Sequence, residues 1–318
     1  MRAKTILLST AIFGIVLAAL VRLADGPGAE PIARLLTLGM LGVVPLALLV
    51  QPSAGPTFDR LRALAAFAVP VCGGLAVVGL WLPAGEAGLW IAPWMGSSLL
   101  VASMGVAALF TDRGFVRPAR FVSGSALCML PVGAGWLVLS RMGARPMGFD
   151  AIIVALTAVH FHFMAVAAPT WSARVIEALD GGWRRAAGAC GVGLIVSVPI
   201  VAAGLTVSPW LAMVGTALLC ACLLGLAVVA LVRVRPTLER RASRVLLAIS
   251  ALSLLLSMPL AVYYQWGQAT HGATIDLEWM IRLHGFANAH GFATCGLLAW
   301  AIEDRADQST ESENGPSD

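Results

Sequence analysis

Two histidine clusters lie inside apolar stretches long enough to cross a bilayer: His160-Phe161-His162 in one, and His284, Asn288 and His290 in another. An ionisable side chain within a membrane span is costly and marks a functional site by default. Imidazole is versatile there, because the neutral ring offers a lone pair to zinc, copper or iron and exchanges a proton near neutral pH. Three chemistries therefore fit these residues. They hold a metal ion or a non-covalent haem, they serve a transporter as proton relay or substrate site, or they only hydrogen-bond across helices and lock a bundle together.

Spacing narrows the set. His160 and His162 stand about 200° apart on a regular helix, so they cannot both ligate one ion unless the turn is distorted. Pro169 offers a reason for distortion, since it cannot donate to the carbonyl of Ala165. His284 and Asn288 are four apart and share a face, whereas His290 is rotated by about 120° from His284. The candidate metal ligands are thus His160, His162 and His284, and the candidate cofactor site adds Asn288, with His290 as a further member. His271 sits in a polar loop and is expected to be solvated, and Arg282 to pair with Glu278 one turn before it. The cysteines, Cys72, Cys128, Cys190, Cys220, Cys222 and Cys295, all fall in apolar stretches without a C-x-x-C pair or a C-x-x-C-H site, which excludes covalent c-type haem.

These residues need helices in a membrane to hold them. With 59% hydrophobic and 12% charged residues over 318 positions, the chain is far outside the soluble range. About 20 apolar residues cross a bilayer as a helix, and ten stretches meet that length: Thr5 to Val21, Ile32 to Val50, Leu61 to Leu82, Leu89 to Phe110, Phe121 to Leu139, Ala151 to Ala168, Ala187 to Leu205, Leu211 to Leu231, Val245 to Tyr264 and Leu277 to Ile302. Pro93 interrupts the fourth. The fold class is all-α, a polytopic helix bundle forming a single transmembrane domain over residues 1–302. The acidic, serine-rich tail at 303–318 is expected to be disordered and cytoplasmic. Neither GxGxxG nor GxxxxGK[ST] stands between a strand and a helix, so no nucleotide fold is expected.

The basic residues orient the bundle. With the N-terminus inside, 16 of the 21 Lys and Arg fall in cytoplasmic segments, which places both termini in the cytoplasm. The net charge of +4 is then a topology signal and not a nucleic-acid footprint. Trp81, Trp90, Trp210, Trp266 and Trp279 are expected in an outer aromatic belt, and Trp171 and Trp300 in an inner one. Arg22-Leu23-Ala24-Asp25 lacks a small-x-small cleavage site, so the first span is expected to be retained. The expected partner is the lipid bilayer, and the expected location a bacterial inner membrane.

Gly285, Ala289 and Ala293 form one ridge of small residues in the last span, and Ala287, Gly291 and Cys295 a second, so neighbouring helices can approach closely. His160-Phe161-His162 leading to Pro169, with His284-Gly285-x-x-Asn288-x-x-Gly291-Phe292, resembles the YndJ-like family of bacterial multi-pass membrane proteins. The resemblance implies that His160, His162, His284 and Asn288 are site positions, while His290 stands at a variable one. Phe163 replaces an aromatic hydroxyl common there. The resemblance implies no biochemical activity, although family members are sometimes labelled transporters. Transporters are commonly built from repeated halves, and the first five spans lack a comparable intramembrane His, Asp, Glu or Lys, which weighs against transport.

Overall fold

The computed structural model describes residues 2–24, 31–83 and 86–313, the side chains at 21–24 and 306–313 excepted. Ten helices follow in order: α1 Arg2–Ala24, α2 Pro31–Val50, α3 Pro56–Leu80, α4 Ala87–Phe110, α5 Pro118–Arg141, α6 Ala151–Glu177, α7 Gly181–Val207, α8 Pro209–Thr237, α9 Arg241–Thr270 and α10 over 277–313. The described residues contain no strand. The first nine are each long and apolar enough to cross a membrane. In α10 the polar run from Arg282 to His290 dilutes the apolar residues, yet the helix is unbroken.

Prolines do not end these helices. Pro70, Pro93, Pro131, Pro199 and Pro259 all lie inside them, as tightly packed membrane bundles allow. The interruption expected at Pro93 is therefore absent, and α4 runs through it. Pro169 is likewise absorbed. The sixth span, expected to end at Ala168, instead runs on as helix as far as Glu177, and α7 begins at Gly181.

The helix centre makes this continuation possible. Four helices widen locally to π-helical geometry, at Gly39–Val43 in α2, Phe163–Ala167 in α6, Ala230–Val234 in α8, and both Ile281–Gly285 and Ala287–Thr294 in α10. In the first two, the backbone N–H of Val44 reaches Gly39 and that of Ala168 reaches Phe163, and proline follows at once. A widened turn needs no i→i−4 bond from the proline, so the ring is accommodated. Those in α2 and α6 and the second in α10 start 124 residues apart and touch one another in the middle of the bundle. Three helices lie between α2 and α6 and three between α6 and α10, so α2, α6 and α10 run in one direction.

α2 is the hub. It packs on α1, α3, α6 and α10, and 83% of its membrane-length window is buried, against 22% for α1. The tail also departs from expectation. α10 continues to Glu313, because the Glu303 carboxylate accepts backbone N–H bonds from Glu239 and Arg240 and Asp304 pairs with Arg174; residues 314–318 lie outside the described residues. Two of the expected belt tryptophans are corrected as well. Trp171 is wholly buried, edge-on to Phe292, and Trp300 is buried under the Arg174 guanidinium. The five outer ones are exposed.

Candidate functional site

His160 and His162 end the regular part of α6, just before its widened turn. They serve different partners. His162 is fully buried, and its Nδ1 lies 2.8 Å from the Ala158 carbonyl. A carbonyl only accepts, so the ring proton sits on Nδ1 and Nε2 is the acceptor. Nε2 receives the indole N–H of Trp94 from α4, at 3.1 Å. Two glycines make room for the ring: a Cβ on Gly39 would lie 3.1 Å from His162 Cβ, and one on Gly133 would lie 3.2 Å from its Nδ1. Both nitrogens of His162 are thereby engaged within the protein.

His160 and His284 are arranged otherwise. His160 Nδ1 is 2.8 Å from the Leu156 carbonyl, and His284 Nδ1 is 3.0 Å from the Ser257 carbonyl of α9. Both rings carry their proton on Nδ1 by the same reasoning. Asn288 Nδ2 stands 3.2 Å from His284 Nδ1 and 2.8 Å from the His284 carbonyl. Two donors cannot bond each other, so the amide bonds the carbonyl, while its Oδ1 accepts from Ser257 Oγ at 3.0 Å. Nε2 of each of these two histidines keeps its lone pair and has no hydrogen bond among the described residues. His284 and Asn288 are buried, whereas His160 is exposed at the bundle surface.

Of the expected set, the structure thus brings His284 and Asn288 together with Ser257, leaves His160 exposed on α6, and gives His162 to Trp94. His290 points outward and stacks on Phe286, ring centroids 5.8 Å apart. Arg282 bonds Glu278 at 2.7 Å, as its spacing foretold. The two small ridges face different neighbours, Gly285 meeting Leu35 of α2 and Gly291 meeting Ser253 of α9. Trp94, Ser257, Gly39 and Gly133 escaped the sequence. Trp94 carried one signal, a tryptophan well inside a span instead of at an interface.

Among the described residues no group of three or more His, Cys, Asp or Glu converges. A closed four-ligand zinc site therefore does not fit. The rings of His160 and His284 are each oriented by an N–H bond to a backbone carbonyl, the usual outer support of a ligating histidine.

Comparison with known proteins agrees with this architecture. No solved structure matches the chain. It is 25% identical over 178 residues to a Bacillus subtilis protein named uncharacterized membrane protein YndJ, an overlap of 56% of this chain but only 32% of that protein. The chain thus spans about a third of that relative. The YndJ-like protein family matches residues 34–292, from α2 through the widened segment of α10, and the chain belongs to that family of membrane proteins.

Proposed function

We propose that this multi-pass protein of a bacterial inner membrane, with both ends in the cytoplasm, holds a metal centre between α6 and α10 on the Nε2 atoms of His160 and His284. The observation that carries this is the shared state of the two rings: Nδ1–H tied to a backbone carbonyl, Nε2 free. Neutral imidazole suits copper and iron, so His160 and His284 would hold a haem iron or a copper ion. When bound, the metal supplies one-electron chemistry. The chain's own residues orient and shield: Asn288 and Ser257 hold His284 in place, and His162, bonded to Trp94, fixes the turn that presents His160.

A transporter with a histidine proton relay is the second reading, and the widened turns favour it. The widened turns of α2, α6 and the second of α10 touch one another, as do the broken helices that line a transporter's site. Metal analysis and an absorption spectrum of the purified, detergent-solubilised protein separate the two. Bound metal or a Soret band is expected in the wild type, depleted in His160→Gln and in His284→Gln but retained in His162→Gln. A wild type without stoichiometric metal and without a Soret band removes the metal centre and leaves the relay.

A further inference from the structure

Ser243, Ser250 and Ser257 stand seven residues apart on α9 and are all buried. Seven residues are about two turns, roughly 10.5 Å, so the hydroxyls form one row along the helix. The row faces α10. Ser257 Oγ donates to Asn288 Oδ1 at 3.0 Å, and Ser250 Oγ donates to the Phe292 carbonyl at 2.9 Å. Ser243 Oγ is buried without a partner. Opposite Ser250, α10 has Gly296, where a Cβ would lie 2.5 Å from Ser250 Oγ and 2.9 Å from Trp171 Nε1. The Trp171 indole N–H, wholly buried and also unpartnered, therefore shares with the Ser250 hydroxyl the recess that Gly296 leaves. A third unpartnered donor, Trp300 Nε1, follows one turn further along α10.

Lipid offers no hydrogen bond, so unpaired donors inside a membrane bundle call for water. The row has polar ends. At one, Asn288 bonds the His284 carbonyl. At the other, the buried Glu303 carboxylate accepts from the backbone of Glu239 and Arg240, just ahead of Ser243. Beyond it Arg240, Arg241 and Arg305 line an open groove with Ala242 and Ile302. Arg174, paired with Asp304 and Glu177, closes the side towards α6.

We infer that the seam between α9 and α10 is a hydrated path that leads from the arginine-rich end of the bundle to the Ser257–Asn288 pair beside His284. Water enters beside Glu303 and is held along the row by the unpaired donors Ser243 Oγ, Trp171 Nε1 and Trp300 Nε1, and no covalent bond is made or broken. The path rests on the metal-site reading only for what happens at His284, and water entry does not depend on metal.

The test uses the full chain in lipid vesicles. In Ser243→Cys and Ser250→Cys, a small water-soluble methanethiosulfonate should react about tenfold faster than in Leu256→Cys, because a thiol needs water to ionise, and Leu256 is 77% exposed on the lipid face. Native cysteines are distinguished by mass spectrometry of the labelled peptides. Independently, the imidazole Cε1 hydrogen of wild-type His284 should exchange in D₂O, and Ser250→Leu, which plugs the row, should slow it severalfold while the exposed His271 exchanges as before. Equal labelling at all three positions, or His284 exchange indifferent to Ser250→Leu, overturns the path whatever the metal content. Absent metal with fast labelling overturns the metal centre alone.

Discussion

Trp94→Phe should uncouple α4 from α6. The indole and the His162 ring are both fully buried, and their 3.1 Å bond joins the only acceptor of one to the only donor of the other. Phenylalanine leaves Nε2 of His162 unpaired in a place without water. Interhelical hydrogen bonds in membranes are worth about 0.6 kcal/mol on average and about 1.7 at most. Truncating the indole adds about 1 kcal/mol or more for the void, since the surrounding helices relax only in part. The single substitution mixes the two contributions, and a double-mutant cycle with His162→Leu separates them. The coupling energy should fall between about 0.6 and 1.7 kcal/mol, or about threefold to twentyfold in the unfolding equilibrium, measured by reversible unfolding in mixed detergent and lipid micelles. A coupling below about 0.3 kcal/mol, the scatter of independent sites, would refute the assignment of Nε2 as the acceptor. The free lone pairs of His160 and His284 were derived by the same hydrogen-bond logic and would fall with it.

Two further outcomes are expected. A reporter active only in the cytoplasm should work when fused after Arg241 or Arg305 and fail near Ser208 or His271; activity at His271 reverses the orientation drawn from the arginines. Gly105→Ala should strongly lower the melting temperature, because its Cβ would lie 2.5 Å from the Gly124 carbonyl and 2.9 Å from the Cys128 backbone nitrogen, neither of which yields easily, at a cost of about 1–3 kcal/mol or more. Gly96→Ala, with nothing within 4 Å, should melt with the wild type.

The ten helices were legible because hydropathy reports length directly, and the pairing of Arg282 with Glu278 because four residues make one turn. His284 with Asn288 was legible for the same reason. The fate of His162 was not, because its partner Trp94 lies 68 residues away and only packing brings α4 to α6. Helix ends near Pro169 and Glu303 were misjudged from local composition. The proline was absorbed by a widened turn that leaves no periodic trace, and the acidic tail found a fixed positive partner in Arg174 and the first N–H groups ahead of α9. Trp171 and Trp300 read as interfacial by position, yet glycine opposite one and arginine over the other drew both inside.

A widened turn inserts about one residue into the helical count and so rotates all that follows by about 100°. α2 and α6 are therefore each two helices in phase, though one in backbone. Around the shift they are buried on every side, without interruption over residues 35–48 in α2 and 162–173 in α6. Deleting a single residue between Phe163 and Ala167 would leave His160 and His162 where they are and swing the far half of α6 back, carrying Trp171 away from Gly296. The facing of the histidines and the facing of the seam are thus set independently along one helix, and a substitution pattern that fits one half carries no information about the other.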